Sequence, residues 1–140
     1  SPAGWAREAA YSTYGLALGE AFQLRDDVLG VFGDPERTGK PAGDDLREGK
    51  RTLLIAYALE GGGPKAALTI ERLLGDPELD DDGVEALRAV IVDSGALARV
   101  EAQVADLVDR SRRALREAEV TPAARTALDM LVSAATIRTA

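Results

Sequence analysis

The sequence contains neither cysteine nor histidine, and these two absences exclude several kinds of chemistry. Without cysteine there are no disulfides and no thiolate metal sites. Without histidine there is no Ser-His-Asp triad, no imidazole general base and no imidazole ligand for zinc. Any chemistry carried out by these 140 residues therefore depends on carboxylates, lysines, arginines and bound cations.

Long apolar runs and excess positive charge are also missing. No stretch approaches the roughly 20 apolar residues of a membrane helix, so we expect no membrane insertion. Lys and Arg total 17 against 24 Asp and Glu, a formal charge of −7 that argues against a nucleic-acid partner. The first five residues do not resemble a signal peptide, and we expect a cytoplasmic location. Because the chain begins without methionine, we expect it to be part of a longer polypeptide.

The composition predicts helices, because aromatic residues make up only 4% and Ala, Leu, Glu and Arg are abundant. Residues 5–31 lack proline and predict one long helix. Residues 33–49 contain two prolines and four glycines and predict a long loop, a feature that is usually functional inside a compact domain. Five further helices are predicted. One covers residues 51–60, and the other four begin near Pro64, Asp80, Leu97 and Thr121. The predicted fold class is all-α, an antiparallel helical bundle.

Apolar spacing predicts which faces of the later helices are buried. The last helix is expected to bury Leu128, Leu131 and Ala135. Arg110 and Arg113 belong to an arginine-rich stretch that also contains acidic residues, which favours a solvated helix face over an anion site.

The most informative residues are two adjacent aspartates, Asp26 and Asp27, near the end of the first predicted helix. Carboxylates are unfavourable there because the helix dipole is already negative at its C-terminus, and a bound cation would relieve that penalty. Gln23 lies three and four residues earlier, so its amide can share a helix face with either carboxylate. Hard oxygen ligands of this kind suit Mg²⁺, which often bridges to phosphate oxygens.

The segment that follows supplies positive charge. Lys40 and Lys50 are the only lysines before residue 65, and each follows a glycine that permits close approach to a ligand. Carboxylates on a helix together with lysines on a loop predict a site for Mg²⁺ and diphosphate. The alternative from spacing alone is a solvated aspartate pair followed by an ordinary charged loop.

The ordered set of motifs in this region resembles the second aspartate-rich region of the trans-isoprenyl diphosphate synthase (polyprenyl synthetase) family. The similar block runs from Gly15 to about Leu59. Its motifs are Phe22-Gln23-x-x-Asp26-Asp27, Phe32-Gly33-Asp34-Pro35, Gly39-Lys40, Gly43-x-Asp45-Leu46 and Gly49-Lys50-x-Thr52. The resemblance implies the isoprenoid synthase fold, with residues 1–140 forming the C-terminal portion of its single helical domain.

The resemblance also implies roles for individual residues. Asp26 and Asp27 would be catalytic and hold Mg²⁺ against an allylic diphosphate, with Gln23 and Asp45 in the first or second coordination shell. The family pattern usually has a third aspartate four residues after the first, where this sequence has Gly30.

Three more residues would face the substrate according to the same resemblance. Lys40 would contact the diphosphate and take part in catalysis. Lys50 would act at the same group or support it, and Phe22 would line the cavity for the allylic chain or belong to the core.

The implied activity is that of a Mg²⁺-dependent prenyltransferase, which condenses isopentenyl diphosphate with an allylic diphosphate to a geranyl, farnesyl, geranylgeranyl or longer product. The family's first aspartate-rich motif has no counterpart in these residues, so we expect the 140-residue chain to be inactive by itself. The family also implies a homo-oligomer, commonly a homodimer. The alternatives are a non-catalytic, partner-binding subunit of a synthase complex and a class I terpene cyclase; the lysine-bearing loop argues against the cyclase.

Overall fold

The computed structural model describes residues 2–117 and 121–137, and this part of the chain is helical without any β-strand. The helices are α1 (Pro2–Phe32), α2 (Pro35–Thr38), α3 (Asp44–Glu48), α4 (Leu53–Gly61), α5 (Gly63–Leu73), α6 (Asp81–Asp93), α7 (Ala96–Glu117) and α8 (Pro122–Ile137). The all-α prediction is therefore confirmed. No helix in the described ranges has the length and apolar character required to cross a bilayer.

The segment at residues 33–49, predicted as a loop, contains two one-turn helices. The Asp34 side chain accepts a hydrogen bond from the Glu36 N–H at 3.0 Å, and α2 ends at Gly39 in the left-handed conformation, with φ of 72°. Gly43 (φ 70°) and Gly49 (φ 75°) bound α3 in the same way. The residues that break a long helix thus begin and end short ones here, because glycine adopts positive φ without strain.

Side-chain caps define the starts of α6 and α8 where the sequence predicts them. The Asp80 carboxylate accepts from the Gly83 N–H at 2.8 Å. The Thr121 hydroxyl accepts from the Ala124 N–H at 3.1 Å, immediately before Pro122. Each cap satisfies a backbone donor that the first helical turn leaves without an intrahelical partner.

The described residues fall into two compact units. The first comprises residues 2–25, 102–117 and 121–137, and the second is Asp26–Glu101. Helices α1 and α7 contribute to both units, while α8 belongs to the first and α2–α6 belong to the second.

In the first unit, α8 buries a different face from the one predicted. Val132 is fully buried, Leu128 is partly buried, and Leu131 is 50% exposed. The prediction for Leu131 is therefore wrong, because the i, i+4 row through Leu128 and Val132 carries the contact; the side chain of Ala135 lies outside the described residues. In the arginine-rich stretch, Arg110 and Arg113 are exposed as predicted and pair with Asp106 and Asp109 at 3.0 and 3.1 Å. Arg112 of the same stretch departs from the prediction, because it is half-buried and its Nε donates to Asp129 at 3.1 Å.

In the second unit, α4, α5 and α6 pack against one another. Their contact surfaces carry large side chains with less than 2% exposure: Leu54, Ile55, Ile70, Leu87 and Ile91. Gly43, which precedes α3, lies against the Val84 side chain of α6 in the same unit.

The buried Tyr14 gives the first unit a predictable response to alkaline pH. Its hydroxyl donates to the Leu128 carbonyl at 2.8 Å, and burial, with a smaller effect from the Asp129 charge, raises its pKa above the ordinary value of 10.0. Because the folded-state pKa is the higher one, the unfolded chain ionises first as pH rises past about 10, and stability is lost there. We expect Tyr14→Phe to cost about 1 kcal/mol at pH 8 and progressively less above pH 10.

Urea unfolding of the wild type and of the Tyr14→Phe variant between pH 8 and pH 11 measures this difference in unfolding free energy. The two proteins differ only at position 14, so the comparison isolates the contribution of this side chain. A difference in unfolding free energy that stays constant over this range would contradict the role given to Tyr14.

Candidate functional site

The candidate site is built on the last two turns of α1. Asp26 is exposed, whereas Asp27 is only 8% exposed. The last turn of α1 carries no basic residue that could offset the negative end of the helix dipole. The negative end of the helix dipole is therefore offset by groups outside the last turn or by a bound cation.

One source of compensation is the ammonium group of Lys50. Its Nζ lies 3.4 Å from Asp27 Oδ1 and 3.7 Å from Asp45 Oδ2, so carboxylates from α1 and α3 meet around one positive charge. Asp45, and to a lesser extent Asp27, raise the pKa of Lys50 above its ordinary value, against the opposing effect of partial burial. The ammonium group is therefore charged at neutral pH, and its positive charge stabilises the negative charges of both carboxylates.

Helix α3, which carries Asp45, is anchored to the segment between α5 and α6. The Arg47 Nε donates to the Leu79 carbonyl at 2.9 Å, and its Nη1 donates to the Ala42 carbonyl. The Gly75 N–H donates to the Leu46 carbonyl at 2.8 Å, and the Leu46 side chain is buried. These contacts fix the position from which the Asp45 and Lys50 side chains extend.

Arg47 supports the candidate site through backbone contacts that the sequence patterns do not reveal. It lies between Asp45 and Lys50 in the sequence, and it donates to the backbone carbonyls of Ala42 and Leu79. The sequence shows an arginine in a segment bounded by glycines. What distinguishes Arg47 is its partial burial, which is known only once the fold is known.

Thr52, two residues after Lys50, has a buried hydroxyl with no hydrogen-bond partner in the described ranges. It stands at the N-cap of α4 without making a side-chain cap. A buried hydroxyl without a partner costs roughly 1–3 kcal/mol, so such an atom is usually satisfied by water or by a bound group.

Lys40 lies on the exposed turn that follows α2 and Gly39. Its ammonium group forms no ion pair with any residue that the structure describes, and its backbone N–H donates to the Thr38 hydroxyl at 3.3 Å. The structure therefore joins Asp27, Asp45 and Lys50 directly, and it leaves Lys40 on the solvent-facing part of the same segment. Phe22, partly buried, and Gln23, exposed, fall in the first unit, and their roles stay predictions.

The donor set can be tested against a magnesium ion. Two carboxylates converge on one cationic group, and oxygen donors are what Mg²⁺ prefers. Across residues 2–117 and 121–137 there is no group of three or more Asp, Glu, His or Cys side chains arranged to hold a metal unaided. The residues fit a Mg²⁺ ion that keeps several waters and takes further oxygens from a phosphate ligand.

Comparison with known proteins identifies the same region. The sequence profile described as "Polyprenyl synthetase" matches residues 3–91, which include every candidate site residue. The geranylfarnesyl diphosphate synthase of Aeropyrum pernix is 46% identical over 98 residues, which are 70% of this chain and 30% of that protein.

Two solved structures resemble the fold closely. A geranylgeranyl pyrophosphate synthase from Corynebacterium glutamicum, complexed with isoprenyl diphosphate and magnesium, superposes with a TM-score of 0.87 at 40% identity, over 93% of this chain and 37% of that one. A polyprenyl synthase from Caulobacter crescentus, complexed with calcium and isoprenyl diphosphate, gives 0.82 at 40% identity, over 96% of this chain and 41% of that one. The prediction of the isoprenoid synthase fold is confirmed.

The chain spans about 30% of the length of the curated relative from Aeropyrum pernix. Both this relative and the Corynebacterium glutamicum protein are named as diphosphate (pyrophosphate) synthases.

Proposed function

The chain belongs to the polyprenyl synthetase family, and from this premise we propose that it is part of a prenyltransferase that condenses isopentenyl diphosphate with an allylic diphosphate. The observation that carries the proposal is the convergence of Asp27 and Asp45 on the Lys50 ammonium group, inside the block that the family profile matches. Acidic and basic side chains held side by side can bind a divalent cation and the anion that accompanies it.

The carboxylates would form the cation side of the site. Asp26 and Asp27 would hold Mg²⁺, with Asp45 and Gln23 binding directly or through water. When bound, Mg²⁺ would neutralise part of the charge of the diphosphate as the allylic C–O bond breaks. Magnesium or calcium accompanies isoprenyl diphosphate in the two similar solved structures, which supports an oxygen-rich cation site here.

The lysines would form the anion side. Lys50 already lies between the carboxylates, where it can contact the diphosphate oxygens nearest the cation. Lys40, exposed on a turn and without an ion pair among the described residues, can reach an incoming diphosphate without breaking an existing contact. Fixed positive charges aimed at a leaving group stabilise the charge that develops on it during ionisation. Phe22 would contact the allylic chain or support its cavity.

Exposed apolar side chains on α1 support a homo-oligomer. Trp5 and Leu16 are 68% and 72% exposed, and their spacing of 11 residues places them on one face of the helix. A face of this kind is costly in water and is commonly covered by another protein surface. A cytoplasmic location completes the proposal, in agreement with the absence of cysteine.

Binding and turnover of the 140-residue chain test the proposed function. We expect calorimetry to show weak binding of pyrophosphate and of geranyl diphosphate that requires Mg²⁺, because the site supplies few protein ligands of its own. We expect no condensation of isopentenyl diphosphate with geranyl diphosphate, because the family's first aspartate-rich motif has no counterpart in these residues. Binding that does not depend on Mg²⁺ would contradict the proposed cation site. Measurable condensation would contradict the expectation that catalysis requires the family's first aspartate-rich motif as well.

The coding sequence upstream of Ser1 separates the enzyme from a non-catalytic subunit. An in-frame extension that encodes an Asp-Asp-x-x-Asp motif is the expected result. A start codon directly before Ser1 would instead make the chain a half-protein that needs a catalytic partner.

A further inference from the structure

Glycine at position 30 is not explained by the backbone of α1. Gly30 is absent from the glycines with positive φ, and it lies inside a regular helix. Alanine is the better helix former at such a position, because glycine loses more conformational freedom on folding. The reason for glycine must therefore lie in what surrounds it.

The space beside Gly30 is occupied by the carboxylate of Asp45. A Cβ atom added to Gly30 would overlap with Cγ and Oδ2 of Asp45 and stand 3.0 Å from its Oδ1. At Gly15 and Gly19, two other glycines of α1, an added Cβ atom would meet nothing within 4 Å. Gly30 thus differs from Gly15 and Gly19, because an acidic side chain lies directly against it.

The contact determines where the Asp45 carboxylate lies. Position 30 is four residues after Asp26 and three after Asp27, so it belongs to the helix face that carries these aspartates. With no side chain at position 30, Asp45 enters this face from α3, and its Oδ2 stays within 3.7 Å of the Lys50 ammonium group. The backbone N–H of Lys50 also donates to the Asp45 carbonyl at 3.0 Å, so the two residues are held together at both backbone and side chain.

We propose that Gly30 is a positioning residue whose missing side chain admits the Asp45 carboxylate to the Asp26–Asp27 face of α1. Helix α3 then supplies the acidic group that an aspartate at position 30 would supply from α1 itself. The contribution of this carboxylate to cation and diphosphate binding rests on the proposed function, whereas the pairing of Gly30 with Asp45 does not.

A melting-temperature cycle tests the pairing without any ligand. We expect Gly30→Ala to lower the melting temperature when Asp45 is present and to raise it in an Asp45→Ala background, where the clash is gone. Gly19→Ala is the matched control and is expected to raise the melting temperature in both backgrounds. An increase on Gly30→Ala in both backgrounds would overturn the pairing.

A reciprocal exchange tests the consequence for binding. Gly30→Asp and Asp45→Gly are each expected to weaken Mg²⁺-dependent pyrophosphate binding at least about tenfold, and the double variant to recover most of that loss. A merely structural role for Gly30 would not produce this rescue, so a double variant that binds no better than either single one overturns the assignment. A wild-type chain that binds no pyrophosphate with Mg²⁺ refutes the proposed function and this consequence together, while the melting cycle still decides the pairing.

Discussion

Replacing Asp27 by Asn is expected to lower the affinity for pyrophosphate in the presence of Mg²⁺ about a hundredfold, a loss of roughly 2.7 kcal/mol. Asn has nearly the same shape as Asp but no charge, so it preserves the packing of this largely buried side chain. It removes a ligand that Mg²⁺ prefers, and it leaves the ion pair between Asp45 and the Lys50 ammonium group in place. Isothermal titration calorimetry with and without Mg²⁺ measures the loss.

A matched control distinguishes this loss from a general effect of charge. Asp93 is exposed at the end of α6, and Asp93→Asn removes the same charge from a helix C-terminus outside the site. We expect this variant to bind pyrophosphate like the wild type. Equal affinity of the Asp27 variant and the wild type, with both folded by circular dichroism, would favour a solvated aspartate pair without a ligand.

Replacing Lys50 by Gln is expected to change two affinities in opposite directions. The Lys50 ammonium group lies beside both Asp27 and Asp45, so it competes with a divalent cation for their negative charge. Its removal should strengthen binding of Mn²⁺ alone, by about threefold because the side chain is half exposed and solvent screens the charge. Binding of pyrophosphate with Mg²⁺ should weaken on the order of tenfold, because a positive charge facing the anion is lost.

Paramagnetic resonance of Mn²⁺ and calorimetry with pyrophosphate measure the two effects separately. Lys65→Gln, at an exposed position of α5, is the control and should alter neither affinity. If the Lys50 variant bound both Mn²⁺ and pyrophosphate more weakly, Lys50 would act by holding the site together and not by competing with the cation.

The helices follow from local sequence features, and this part of the prediction succeeds. Asp80 and Thr121 cap the helices that they were expected to begin, because a cap needs only residues within one turn. The buried face of α8 is harder to predict, since Leu131 and Val132 are both apolar and both compatible with helical spacing. Only the packing inside the first unit selects Val132, which is fully buried, over Leu131, which is half exposed.

In the candidate site too, sequence motifs predict some of the residues, and contacts between residues far apart in the sequence determine the others. The motif pattern identifies Asp27, Asp45 and Lys50 as candidates, and the structure brings these three together. The pattern does not reveal that Lys50, expected to act at the diphosphate or to support it, is the lysine that pairs with these carboxylates. It also does not reveal Arg47, because the bond from Arg47 to the Leu79 carbonyl spans 32 residues of sequence.

The bonds from α3 to the α5–α6 segment also bear on how this part of the chain opens to solvent. Arg47 and Leu46 are tied to Leu79 and Gly75, and Gly49 packs directly against the backbone of Gly75. Segments joined in this way tend to unfold locally as one cooperative unit, with a shared free energy of opening. The positions of the Asp45 and Lys50 side chains therefore depend on the α5–α6 segment, which is distant in sequence. Changes in conditions that alter the rate of amide hydrogen exchange in one of the two segments would alter it in the other as well.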